Sequence, residues 1–379
     1  MAGGAEYESQ AQPKPDQILT ITTTITHASR VASALRDTPT LPTSYLLPSA
    51  RQPKMSSNSD KIHGKQSHLE EQHDIVTAYP NAIPSKQSQT GPGLDKDMKP
   101  GAAHYQVETW DNDGKPYLTE YKGTGKLEGR RAIITGGDSG IGRAIALFYA
   151  REGAKITLAC LPEEAEDART VEQLVKEGPG SKSIIVVPGD VKDHAYCKSL
   201  IDTHVKQWGG LEILVNNASQ QIECKDLAEI DLKNVENTFQ TNIVAMIALA
   251  KFALPHLKRG AGTIINDASV TAHKGSIGFA DYAATKGAIV TFTKALAGQL
   301  APKGIRVNAV APGPVYTPMQ PASRTAESME GWGVGAIPLH GRPAQPAELA
   351  GAFVFLADPV YTNCMTGQVV HVNNGGYFP

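Results

Sequence analysis

The sequence predicts an α/β protein, one doubly wound parallel sheet with helices on both faces, carried behind a long N-terminal extension. Three observations carry this. From Leu127 onward, short Ile/Val-rich runs alternate with amphipathic stretches, the pattern of strands covered on both faces. A glycine-rich turn joins the first such run to the first helical stretch. The bulky apolar residues are unevenly spread: all eight Phe and all three Trp lie after residue 100, whereas ten of the 25 Pro lie within the first hundred. A segment so poor in large apolar side chains cannot offset the entropy of ordering itself. Roughly 255 residues remain, enough for one well-buried domain.

In chain order, residues 1–104 read as a low-order extension. Its second half (50–104) is polar and interrupted by Gln52-Pro53, Tyr79-Pro80 and Ile83-Pro84, so it is expected to be disordered or draped over the domain. Met55, followed by Ser-Ser-Asn-Ser, is an alternative start of translation. Residues 105–126 read as a strap packed on the domain, with the aromatics from Trp110 to Tyr121 flanking Asp113-Gly114, a hairpin signal. The domain proper spans 127–379. Strands are expected at 131–135, 155–159, 184–188, 213–215, 262–266, 306–310 and 368–372, and helices at 142–152, 193–208, 232–257, 282–301 and 346–356. Pro346 suits the first turn of the last helix. Alternating strands and helices of this length make a parallel sheet with helices on both sides, and the expected strand order is 3-2-1-4-5-6-7.

Several functions are disfavoured. A net charge of −2 with no basic run leaves no electrostatic footprint for nucleic acid. No window holds eighteen consecutive apolar residues, so no membrane span is expected. Cys160, Cys197, Cys224 and Cys364 lie far apart with no metal-ligand spacing. They read as reduced core fillers in a cytoplasmic protein, with no metal site. No secretory signal is apparent, and Glu6, Glu8 and Asp16 argue against a mitochondrial presequence.

After the first strand the chain reads Thr135-Gly136-Gly137-Asp138-Ser139-Gly140-Ile141-Gly142. Gly136 permits the tight turn, Gly140 lets backbone approach a pyrophosphate, and Gly142 lets helix and strand pack closely. The free N–H groups of the following helix present partial positive charge to the phosphates.

The spacing Thr-Gly-x-x-x-Gly-Ile-Gly resembles that of the short-chain dehydrogenase/reductase family, whose fold is the Rossmann sheet. Four more motifs agree in order: Gly189-Asp190-Val191; Asn216-Asn217-Ala218-Ser219, with Ser219 where the family usually has Gly; Ser269 followed by Tyr282-Ala283-Ala284-Thr285-Lys286; and Pro312-Gly313 with Val315 and Thr317 nearby. The likeness covers about Leu127 to Gly376. The run Tyr121–Leu127 before the glycine turn further resembles an extended branch labelled glucose/ribitol dehydrogenase homologues or aldehyde/ketone reductases. The resemblance implies a cofactor site built from Gly136, Ser139, Gly140, Ile141, Gly142, Asp190, Val191, Asn217, Ala218, Tyr282, Lys286, Pro312, Gly313, Val315 and Thr317, with Asp190 beside the adenine. It also implies a homodimer or homotetramer.

Reducing a carbonyl needs a proton donor at the developing alkoxide, and oxidising an alcohol needs the reverse. A free phenol titrates near 10, and a lysine four residues along the same helix face, together with a nearby nicotinamide ring, should favour the phenolate. Tyr282 and Lys286 have that spacing. Ser269, at a strand end, would bind the reacting oxygen. The resemblance adds that Lys286 holds the nicotinamide ribose and that Asn242 anchors a water relay. Tyr282, Lys286, Ser269 and Asn242 are therefore the expected catalytic set. The chain then exchanges hydride between a nicotinamide and a small carbonyl or alcohol substrate; a dinucleotide-sensing protein without turnover, and a dehydratase or epimerase on the same fold, are the rivals.

NAD preference normally places an acid at the end of the second strand, but here Cys160-Leu161-Pro162 stand there. By the resemblance, Ser139 and Leu161 stand where a basic residue would hold a 2′-phosphate, so that group is absent too. The missing carboxylate removes a repulsion, and NADP(H) is favoured on that ground, with NAD(H) as the alternative. Glu163 and Glu164 read as a solvated helix turn, and Trp208 as helix-end packing. His273 and His340 read as loop residues, with the substrate side as their other reading. Residues 318–346 form the expected substrate lid, with Met319, Met329, Trp332 and Ile337 as its apolar groups.

Overall fold

The computed structural model describes residues 75–80 and 82–379. The extension up to residue 74, including Met55, lies outside them. Seven parallel strands form the central sheet in the order β5-β4-β3-β6-β7-β8-β9. They are β3 (Arg131–Thr135), β4 (Lys155–Cys160), β5 (Ile184–Pro188), β6 (Ile213–Asn216), β7 (Thr263–Asp267), β8 (Arg306–Pro312) and β9 (Val369–Val372). Counted from β3, this is the expected 3-2-1-4-5-6-7. An apolar run such as Ile133-Ile134 is fully buried because helices cover both faces.

One layer holds α1 (Gly140–Arg151), α2 (Ala165–Glu177) and, at the far end, a helix over Pro346–Ala357. Apolar groups of these three share one core with Ile134, Ile156 and Val310. The other layer holds α3 (His194–Trp208), α4 (Leu232–Phe239), α5 (Ala245–Ala253) and a long helix, Ala280–Leu300. Its α3 and α5 pack with that long helix on Ile133, Leu214, Ile264 and Val307.

The structure departs from the sequence reading in three places. The helix expected over 232–257 is two helices joined by a π turn, Gln240–Val244, and α5 ends at Ala253. The stretch after Glu163 and Glu164 is a full helix, α2, and Glu164 is buried rather than solvated. Its carboxylate accepts the Leu161 N–H at 2.9 Å. Cys160 and Cys197 are core residues as expected, whereas Cys224 is half-buried and Cys364 exposed.

The described residues from 75 onward lie on the domain. Tyr79, Ala82, Ile83 and Met98 are buried there. A hairpin of β1 (Gln106–Trp110) and β2 (Pro116–Glu120) turns at Asp113-Gly114. It is tied down by Arg342, which is fully buried and donates to Glu108 at 2.8 Å and to both Glu348 oxygens at 2.9 Å. A buried guanidinium needs such complete pairing.

Candidate active site

A cleft of about 530 Å³ opens at the carboxyl ends of the strands, where open parallel sheets place their sites. The glycine turn forms one wall. Gly136 has φ +61° and Gly140 φ +48°. A Cβ on Gly142 would stand 1.9 Å from the Gly136 carbonyl oxygen, so only glycine lets α1 approach β3 this closely. Asn217 pins the turn: its Nδ2 donates to the carbonyls of Thr135 and Gly136, each at 2.9 Å.

The turn residues Gly136, Ser139, Gly140 and Ile141 line the cleft, as do Asp190, Val191, Asn217 and Ala218. Pro312 at the end of β8 and Gly313, Val315 and Thr317 just after it line the cleft too. Gly142 and Asn242 do not reach the cavity; both act on its wall from behind. A glycine cradle at a strand-to-helix turn, opening on this cleft, suits a dinucleotide.

The sequence reading missed three parts of this wall. Asp138 is buried with one carboxylate oxygen lacking a partner, and burial pushes its carboxyl up to about 6. Glu164 also faces the cleft, pushed up to about 8 by burial and by Asp138. Gly91 and Pro92 of the extension complete a side. Neighbouring Gly93 (φ +88°) fits so closely that a Cβ would lie 2.6 Å from the Pro318 oxygen. No local signal in a Pro/Gly dipeptide could have placed it there.

At the inner end Ser269, Tyr282 and Lys286 share the cleft. Ser269 follows β7 and is buried, its Oγ accepting the Thr271 N–H at 3.2 Å. Tyr282 and Lys286 are four apart near the start of the helix Ala280–Leu300, and the ammonium sits 5.4 Å from the phenol ring centroid. Asn242, fully buried in the π turn, accepts the Gln220 N–H at 2.7 Å. It donates to the Gln220 carbonyl at 2.9 Å and to Thr285 Oγ1 at 3.0 Å. The turn thereby aims an amide that a regular helix would turn elsewhere.

One expectation is corrected. The phenol of Tyr282 lies above its ordinary value, not below it. Burial raises it first and the Asp267 carboxylate second, against the Ser269 hydroxyl and the Arg324 guanidinium, which lower it. The Lys286 ammonium is engaged elsewhere. It donates to the Asp267 main-chain oxygen at 2.8 Å and stands 3.9 Å from Asp267 Oδ2.

Three further candidates fall outside the cleft. His273 stacks on Tyr377 at 5.3 Å and His340 on Trp110 at 6.1 Å. Trp208 donates its indole N–H to Thr157 at 3.0 Å. Of the apolar lid residues, Met319 faces the cavity. Met329 and Ile337 are buried, and Trp332 lies against Arg324. No group of three or more metal-ligating side chains occurs among the described residues.

A family profile described as enoyl-(acyl carrier protein) reductase matches residues 136–377. The chain is 44% identical over 260 residues to the NADPH-dependent aldehyde reductase 1, chloroplastic, of Arabidopsis thaliana, covering 68% of this chain and 89% of that protein. It is 39% identical over 296 residues to the glucose and ribitol dehydrogenase of Daucus carota, covering 77% and 96%. A short-chain dehydrogenase from Burkholderia cenocepacia, solved in complex with NADP, superposes with a TM-score of 0.60 at 29% identity, covering 66% of this chain and 99% of that one.

Proposed function

The chain belongs to the short-chain dehydrogenase/reductase family of NAD(P)-dependent oxidoreductases, and we propose that it reduces a small carbonyl compound to its alcohol with Tyr282 as the proton donor. The observation that supports this reading is the convergence of Ser269, Tyr282 and Lys286 on the one cleft that also holds the glycine turn.

The reduced nicotinamide, when bound, supplies the hydride. The chain's own residues do the rest. Ser269 holds the substrate oxygen by its hydroxyl, and Tyr282 gives that oxygen its phenolic proton as charge develops there. Lys286 holds the cofactor ribose. Asn242 orients the Gln220 backbone and Thr285, and so the helix turn that carries Tyr282 and Lys286. The glycine turn and α1 hold the pyrophosphate through backbone N–H groups, and Asp190 and Val191 flank the adenine.

NADP(H) is the preferred cofactor in this reading. No acid stands at Cys160-Leu161-Pro162, Glu164 is tied to its own loop, and Lys192, 3.3 Å from Asp190 Oδ2, is the cation of that wall. The substrate end carries Gln220, Gln221, Gln320 and Met319, which suits a modest polar carbonyl compound. No described helix is long and apolar enough to cross a membrane; with four free thiols, the cytoplasm is the proposed compartment. A homodimer or homotetramer is proposed, supported by exposed Leu232 on α4 and Ile247 on α5.

The test is an assay of aldehydes, ketones and polyols with both cofactors, followed by the absorbance of the reduced nicotinamide. Turnover with NADPH and a carbonyl substrate is expected. Cofactor binding with no turnover on any of them would leave a dinucleotide-sensing protein instead.

A further inference from the structure

One carboxylate in the cleft has no part in the chemistry above. Asp267 is the last residue of β7, two positions before Ser269, and its side chain is buried. It lines the same cavity as Ser269, Tyr282 and Lys286. Lys286 is fully buried, and Asp267 meets it twice, through the main-chain oxygen at 2.8 Å and through Oδ2 at 3.9 Å. Among the described residues no other carboxylate lies within ion-pairing distance of that ammonium. The second carboxylate oxygen, Oδ1, is buried with no hydrogen-bond partner.

A carboxylate persists in so dry a place only when a cation answers it. The same carboxylate bears on both groups, answering the Lys286 ammonium and opposing ionisation of the phenol, so it offsets the ammonium's field at Tyr282. The charged and titratable groups facing Tyr282 are Asp267 and Ser269 from β7 and the turn after it, Lys286 from its own helix, and Arg324 from the segment after β8. Arg324 is spread over the rings of Phe279 and Trp332 and donates to Gln320 at 3.0 Å.

We propose that Asp267 is a positioning residue that fixes Lys286 and cancels its charge, so that Tyr282 keeps its proton at neutral pH and serves the reductive direction. This rests on Tyr282 being the acid/base of the reaction. Burial raises the Asp267 carboxyl to about 6, opposed by Lys286, so above that pH it is an anion throughout the range in which the phenol titrates. Reduction needs the phenol, and oxidation needs the phenolate; a cancelled ammonium keeps the phenol.

The experiment compares Asp267→Asn and Asp267→Thr with the parent chain, recording kcat/KM for reduction and for oxidation across the pH range. Cofactor affinity is followed separately by protein fluorescence. With Lys286 unopposed, both pH limbs should move down by about one pH unit, and oxidation near neutrality should rise about tenfold. Limbs that stay in place in a variant that still binds cofactor would overturn the proposal.

Should neither variant fold, an ultraviolet titration of the cofactor-free parent against Tyr282→Phe decides the matter. The difference band should appear above the free-phenol value of about 10; a midpoint below it refutes the cancellation. If Tyr282→Phe keeps full turnover, the acid/base reading itself has failed, whatever the Asp267 limbs do.

Discussion

The carboxylate of Asp95 lies 3.1 Å from Nε of Arg143, and that same Nε–H donates to the Asp138 carbonyl at 2.8 Å. Asp95 belongs to the extension, Arg143 to α1, and Asp138 to the glycine turn. His104 stands 2.8 Å from the same carboxylate, and the Asp95 N–H donates to Asp167 on α2 at 2.7 Å. The segment before the domain thus braces the cofactor wall.

Asp95→Ala should therefore weaken both stability and cofactor binding. Removing one partner of a buried pair costs roughly 3–5 kcal/mol, read as a lower melting temperature, and a raised cofactor dissociation constant should accompany it. Although burial pushes the other way, His104 and Arg143 hold the Asp95 carboxyl below its ordinary range. Its stabilising share is present above the unfolded value of about 3.9 and is lost as pH falls through the lower folded value.

His204 gives a second pH dependence. It is fully buried, and burial pushes its imidazole down to about 4, while Nδ1 stands 2.8 Å from Thr157 Oγ1. A folded value below the unfolded one of about 6.5 makes the native state bind the proton less readily. Stability should be intact above that point and fall by on the order of 3 kcal/mol toward pH 4. Melting curves across that interval, with His204→Gln flattening the slope, check it.

Tyr282→Phe keeps the ring and removes the proton donor. Turnover should fall by roughly 10²–10⁴-fold with cofactor affinity unchanged by fluorescence titration. An unchanged rate would move the acid/base role to another group.

Asn242→Ala removes three hydrogen bonds at the π turn and leaves the half-buried Gln220 N–H and carbonyl without their partner. A cost of about 1–3 kcal/mol is expected for each group left unsatisfied. Turnover should drop more than substrate KM changes, because Thr285 shares a helix turn with Tyr282. Steady-state kinetics beside a thermal melt separate the two effects.

Gly142→Ala tests the cradle. Its Cβ would meet the Gly136 oxygen at 1.9 Å and Asn217 Nδ2 at 2.6 Å, the turn's own carbonyl and the amide that pins it. Cofactor binding should be lost even where the sheet still forms, as circular dichroism and fluorescence titration together would show.

The sheet was legible because its strands are apolar on both faces and punctuated by glycine, and five ordered motifs located most of the cleft. What escaped the sequence is informative. A π turn adds one residue to a helical period without altering composition, so 232–257 read as one helix. Glu163 and Glu164 look alike in sequence, yet the capping contact to Leu161 buries only the second. Asp267 stood in plain view between Asn266 and Ser269, but only the folded chain reveals that Lys286 turns toward it and away from a simple pairing with Tyr282. The packing of residues 75–104 depends on sites such as Arg342 and Arg143 more than two hundred or some fifty residues away, beyond the reach of any local pattern.

The close fit of Gly93 against Pro318 has an engineering consequence. Selectivity at this cleft can be tuned by exchanging a short peptide far upstream of every reacting group, since that peptide forms one of its sides. Grafting the sheet and its helices alone onto another protein would leave the chamber open on that flank and its glycine turn without the Asp95 brace.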